Sequence, residues 1–116
     1  MVYYANYFRF MERSRTEWIR SMGIEQDRLL QQARRIFVVA DTQAEFRRPA
    51  LFNDQLVVTA ELLSRSRASF VIRQDIFRDA LDGECVCTGT VRAAFLDADT
   101  RKPVRLPDSL FKETTT

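Results

Sequence analysis

Three kinds of residue in this chain are able to do chemistry. Carboxylates stand at Glu12, Asp41 and Glu45, sulfur at Cys85 and Cys87, and guanidinium at Arg65 and Arg67 inside Ser64-Arg65-Ser66-Arg67-Ala68-Ser69. A carboxylate beside a carbonyl carbon acts as nucleophile or general base. Two guanidiniums among hydroxyls form a grip for phosphate, because Arg meets that anion with paired N–H donors. The structural alternative for the same six residues is a solvated hairpin turn. Lys102 and Arg105 form a second, sparser basic pair. Asp41 and Glu45 read as solvent or interface groups.

What is missing narrows the chemistry further. There is no His, which removes Ser-His-Asp and Cys-His catalysis and takes from zinc its usual nitrogen ligand. Two thiols do not close a metal site, so no metal and no cofactor is expected. Residues two apart on an extended strand lie roughly 7 Å apart at the backbone, too far for an easy bridge. Cys85 and Cys87 are therefore expected to share one strand face as free, buried thiols. No Gly-rich loop is present to cradle a nucleotide's phosphates.

These groups need a scaffold, and 116 residues with 46% hydrophobic and 29% charged content suit a single globular domain over 1–116. The net charge of +2 is too balanced for a dedicated nucleic-acid binder, so no nucleic-acid partner is expected. No apolar run approaches the ~20 residues of a membrane span, so no membrane insertion is expected. Arg9, Arg13, Arg15 and Arg20 interrupt the opening aromatics, unlike a signal peptide. The expected location is cytoplasmic.

Tyr4, Tyr7, Phe8, Met11, Trp18, Ile19 and Met22 recur at steps of three or four, predicting a helix over Asn6 to Met22. Asn6 is placed to cap its start and Gly23 to take the left-handed turn after its end. So aromatic a stripe needs a wide surface to cover it, which means a sheet. A short helix over Glu25 to Arg34 follows, and then the period becomes two. Ile36, Val38, Ala40, Thr42, Ala44 and Phe46 would share one strand face; Leu56, Val58, Ala60 and Leu62 a second; Phe70, Ile72 and Ile76 a third; Cys85, Cys87, Gly89, Val91, Ala93 and Phe95 a fourth. Short connections suggest antiparallel neighbours. Helices followed by strands make the class α+β. Phe37, Val39, Val57, Leu63 and Phe77 fall on the opposite strand faces, more than one helix covers, so at least a homodimer is expected.

The opening residues carry a resemblance. Val2-Tyr3-Tyr4-Ala5-Asn6-Tyr7, with Phe10-Met11-Glu12-Arg13 and Arg15-Thr16-Glu17, resembles the hotdog-fold acyl-CoA thioesterases of the 4-hydroxybenzoyl-CoA thioesterase family, most of all its Tol-Pal-associated branch. Weaker similarity continues through Phe37-Val38-Val39, Glu45-Phe46, Pro49-Ala50, Lys102-Pro103 and Leu106-Pro107. The resemblance implies a hotdog fold, a long helix wrapped by an antiparallel sheet, assembled as a homodimer or homotetramer with acyl-CoA at the subunit boundary. The implied reaction is hydrolysis of a short-chain or aromatic acyl-CoA to free acid and coenzyme A.

The same resemblance gives the backbone N–H of Tyr4 the catalytic task of polarising the thioester carbonyl. Beside that carbonyl, Asn6 is read as orienting water or the acyl chain and Tyr7 as lining the acyl pocket, while the guanidiniums and hydroxyls of Arg65, Arg67 and Ser69 offer a grip for the coenzyme A phosphates. Asn6 as a helix cap and Tyr7 as a core residue are the structural alternatives. A catalytically silent hotdog module that binds acyl-CoA or a partner protein is the alternative function. In the family a first strand and a turn precede the motif, and that turn supplies an Asp as nucleophile or general base. Met1 falls just before the motif, so the strand and the Asp are expected to be missing from these 116 residues. Loss of a positioned base costs ~10² to 10⁴ in rate, so slow hydrolysis by the chain as written is expected in a coenzyme A release assay. Ordinary rates, abolished in Glu12→Gln, would instead place the working carboxylate on the helix.

Overall fold

The apolar stripe forms the helix it promises and lays itself on a sheet. In the computed structural model, which describes residues 4–48 and 55–107, helix α1 spans Tyr4–Ser21. Tyr7, Met11 and Ile19 are buried on its inner side, with Phe10, Trp18 and Met22 packed partly against the same core. Asn6 lies inside the first turn, not at its cap, because the helix begins two residues earlier than its sequence pattern suggested. Gly23 ends the segment with φ +87°, the left-handed turn expected of it. Helix α2, Gln26–Ala33, follows and buries no residue fully. Its cap, Arg34, is itself left-handed at φ 54° and donates two hydrogen bonds to the Asp99 carboxylate, at 2.6 and 3.2 Å.

Five antiparallel strands follow: β1 (Arg35–Phe46), β2 (Leu56–Val58), β3 (Glu61–Arg65), β4 (Ser69–Arg78) and β5 (Cys85–Asp97). Their order is β1-β5-β4-β2, with β3 continuing β2 along the same edge of β4. This is the α+β hotdog arrangement, a long helix against an antiparallel sheet. Phe70, Ile72, Ile76, Cys87, Val91, Ala93 and Phe95 face the helix, all fully or nearly fully buried.

Three details depart from the alternation read in the sequence. A bulge between Val39 and Asp41 inserts Ala40 and reverses the strand's parity. Before it Phe37 points into the core, against Phe70 and Phe95 at ring-centroid distances of 5.8 and 4.8 Å; after it Ala44 and Phe46 do. Phe37 thus belongs to the inner face and not the outer one. The expected second strand is divided at Thr59 and Ala60 into β2 and β3. Finally, β1 pairs with β5 rather than with its sequence neighbour β2, so that connection is a crossover and no hairpin.

The aromatic contacts set the direction of α1. Tyr7 and Phe8 lie 5.7 and 5.9 Å from Phe46, at one end of the sheet, while Trp18 lies 6.0 Å from Phe70 at the other. Phe70 is the shared anchor of helix and strands. Truncating such a ring costs about 3–5 kcal/mol, so Phe70→Ala should lower urea stability by that order. Leu81→Ala, at a side chain 65% exposed, should stay within about 0.5 kcal/mol of the parent.

Candidate active site

The sheet brings the predicted site residues together in two groups and holds the groups apart. Tyr4 is the first residue of α1, where backbone N–H groups lack intrahelical partners and the helix dipole favours negative charge. This is the position at which the resemblance puts the carbonyl-polarising amide. The side chains of Tyr4 and Asn6 lie outside the described residues. Tyr7 is fully buried against Phe46 in the single chain, the packing role its alternative reading gave it.

The second group gathers at the opposite end. The chain after β5 turns back, its Val104 amide donating to the Phe95 carbonyl and its Leu106 amide to the Arg67 carbonyl, at 2.9 and 2.8 Å. That return sets Arg105 beside Arg65 and Arg67, and the three arginines with Ser66 and Leu106 line a cleft of about 300 Å³. Arg65 donates from Nη2 to the Pro107 carbonyl at 2.9 Å. Ser66 and Ser69 share a hydrogen bond of 2.6 Å between their hydroxyls, which stiffens the turn. Two basic sites read separately in the sequence therefore become one through Arg105, while Lys102 stays outside it.

Between the two ends, α1 and β1 enclose a third hollow of about 270 Å³. Glu12, Arg15 and Thr16 form its polar side and Phe37, Val39, Phe70 and Ala93 its apolar side. Glu12 is exposed and makes no ion pair within 4 Å among the described residues. Arg15 donates from Nη1 to the Gln74 Oε1 atom at 2.8 Å. Burial pushes its guanidinium below the ordinary Arg value, and the charge of Glu12 opposes that shift. Gln74 itself escaped the sequence reading, although its even spacing from Phe70, Ile72 and Ile76 marks it as inward-facing. Among the described residues, no group of three His, Cys, Asp or Glu is placed to hold a metal ion.

With this geometry in place, comparison with known proteins is informative. Residues 1–113 match the thioesterase-like superfamily. The chain belongs to that superfamily. It is similar to the acyl-CoA thioesterase YbgC of Haemophilus influenzae, 32% identical over 107 residues that cover 92% of this chain and 76% of that protein. It is likewise 32% identical over 113 residues to the acyl-CoA thioester hydrolase YbgC of Escherichia coli, covering 97% of this chain and 82% of that one. Among solved structures, a probable thioesterase from Bartonella henselae superposes with a TM-score of 0.83 at 29% identity, over 91% of this chain and 85% of that one. The DHNA-CoA thioesterase of Staphylococcus aureus superposes at 0.82 with 25% identity, over 97% and 72%. The resemblance carried by the opening motif thus extends over residues 1–113 of this chain.

The thiols of this thioesterase-like chain are both free, Cys85 half-buried and Cys87 fully buried. The register shift opposite Ile76 and Phe77 makes Val86 a bulge, so the two side chains do not share a simple face. Burial pushes the Cys87 thiol up to about 11, with Cys85 and Asp75 adding to the shift. The folded state keeps this proton while the unfolded state loses it near the ordinary value of 9.0. Its contribution to stability is therefore full below about 9 and is lost as pH rises through about 11. Native protein at pH 8 should be alkylated at Cys85 before Cys87, with both modified in denaturant, as read by peptide mass spectrometry.

Proposed function

We propose that the chain hydrolyses acyl-CoA thioesters bearing short-chain or aromatic acyl groups, at a site that two copies build together. The observation that carries this reading is the pairing, in a chain of this superfamily, of an open helix start with a three-arginine cleft. The thioester carbonyl oxygen accepts from the Tyr4 N–H, and the helix dipole stabilises the negative charge as the tetrahedral species forms. A carboxylate beside that carbonyl takes a proton from water as the water oxygen bonds to the carbonyl carbon; by resemblance it is an Asp of a turn preceding the motif, so the 116 residues alone turn over slowly. The C–S bond then breaks and the coenzyme A thiolate leaves. Arg65, Arg67 and Arg105 neutralise the coenzyme's phosphates.

Within one chain the Tyr4 amide and the arginine cleft lie toward opposite ends of the sheet, ends that the six-residue step from Ile76 to Phe70 in β4 holds roughly 20 Å apart. A homodimer removes the separation. Among the described residues β1 pairs on one side only, with β5, so its other edge is open to a second strand. Val39 on that strand is 50% exposed. Two β1 strands paired antiparallel about a two-fold axis lay the Phe46 end of one copy against the Phe37 end of the other. The Tyr4 amide of one protomer then approaches the hollow and the arginine cleft of its partner. Tetramers of such dimers are compatible with this edge. Free thiols suit a reducing compartment, so the proposed location is the cytoplasm.

Coenzyme A release from benzoyl-CoA and butyryl-CoA tests the reaction, and sedimentation tests the dimer. Changing Arg65 and Arg67 together to Met should raise KM by about tenfold or more, each lost charge-assisted hydrogen bond being worth about 1.5–3 kcal/mol, while kcat changes little. Binding without turnover would favour the silent module. Neither binding nor turnover, or a clean monomer at micromolar concentration, would overturn the reading.

A further inference from the structure

Among the described residues Gln74 is the only buried polar side chain, and nothing in the reaction just described uses it. It sits at the middle of β4, completely shut off from solvent in an otherwise apolar core. Both polar atoms of its amide have a partner. Nε2 donates to the Met11 carbonyl of α1 at 2.9 Å, and Oε1 accepts from Arg15 Nη1 at 2.8 Å. Met11 and Arg15 are one helical turn apart, so the amide grips two successive turns of the same helix.

Gln74 does not act alone. Across the sheet it pairs with Gly89 of β5, which in turn pairs with Ala44 of β1. The Met11 side chain reaches the strands at this row. A Cβ built on Gly89 would stand 2.6 Å from the Met11 Cε atom and 3.1 Å from the Gln43 carbonyl oxygen. The Met11 side chain therefore fills the space that Gly89 leaves open, and the Gln74 amide donates to the Met11 carbonyl.

Apolar contact between a helix and a sheet is not directional, so a helix held by it alone is free to slide along its axis. A hydrogen bond to one named carbonyl is directional. Burying an amide is unfavourable unless every donor and acceptor finds a partner. Leucine would fill the space more simply, and a retained buried amide of this kind serves to fix register. Met11 stands seven residues after Tyr4, about 10 Å along the helix axis. A rigid helix clasped at Met11 carries that fixed position to its first amide.

We propose that Gln74, with the Gly89 notch, clasps α1 at Met11 and so sets the axial position of the Tyr4 N–H against the thioester carbonyl. Gln74 is a positioning residue, and this role rests on the thioesterase reading above. A displacement of about 1 Å in a reacting group costs up to about 10²-fold in rate, and it falls on kcat because coenzyme A binding is made elsewhere.

The test compares the full chain with Gln74→Leu and Gln74→Glu. Gln74→Leu should lower kcat by about tenfold or more and leave KM within about twofold. The glutamate keeps an acceptor for Arg15 but, when ionised, turns a second oxygen toward the Met11 carbonyl. When protonated it donates to that carbonyl again. Its kcat relative to the parent should therefore climb as pH falls, a dependence that simple packing does not produce. A folded Gln74→Leu with parental kcat, or a Gln74→Glu profile parallel to that of the parent, would overturn the proposal. Should the leucine variant fail to fold, the glutamate profile decides alone. Should the parent chain hydrolyse no acyl-CoA, the thioesterase reading fails separately. Amide hydrogen exchange then decides the clasp: faster exchange across residues 11–19 of the same helix in Gln74→Glu at high pH than at low pH, after correction for the intrinsic rate, supports it, and no difference overturns it.

Discussion

One contact surface governs this molecule, the burial of the aromatic stripe of α1 against the concave face of its sheet. Tyr7, Met11 and Ile19 from the helix and Phe70, Ile72, Ile76, Val91 and Phe95 from the strands form one core, and each side leaves the other exposed if removed. The helix needs a wide partner because its stripe is rich in large rings, and the sheet needs a cover because one face of every strand is apolar. Everything functional is placed by this contact. It aims the start of α1 toward the Phe46 end, and it leaves the basic turn after β3 at the Phe70 end. The distance between the two ends is a property of the packing, so the wish to bring them together is a wish for a second copy.

Much of this was legible beforehand because it is local. The stripe in Tyr4–Ser21, the left-handed Gly23, the alternation in β4 and β5 and the free thiols follow from spacing that any short window displays. What escaped is what spacing does not encode. A bulge adds one residue without altering composition, so Phe37 seemed to face outward when Ala40 had already reversed the parity. The choice of β5 over β2 as the partner of β1 depends on which arrangement covers the helix, a question of three dimensions. Arg105 joined Arg65 and Arg67 for the same reason: thirty-eight positions of chain separate it from Arg67, and the return past β5 closes that gap.

The candidate site was only half visible for a related cause. Residue types and the family motif indicated an amide at Tyr4 and cations at Arg65 and Arg67; the first stands at the start of α1 and the other two line one cleft with Arg105. Gln74 was passed over because a polar residue in an alternating strand looks like a solvent-facing one unless its parity is counted. Counted, it falls among Phe70, Ile72 and Ile76, and an inward polar residue is the kind of local inconsistency that accompanies function.

The account stands on two protomers contributing different parts of one site. Subunit complementation tests that most directly. Tyr4→Pro removes the amide donor at a helix position that tolerates proline, and the paired Arg65→Met and Arg67→Met changes remove the phosphate grip. At acyl-CoA concentrations below the parental KM, each chain alone should turn over poorly. Mixed and allowed to exchange subunits, half of the dimers combine the two variants, each with one intact and one doubly damaged site, and the mixture should regain about a quarter of the parental sites. Recovered turnover above either variant alone is the predicted result. A mixture no more active than the mean of its components would contradict a shared site and return both parts to a single chain.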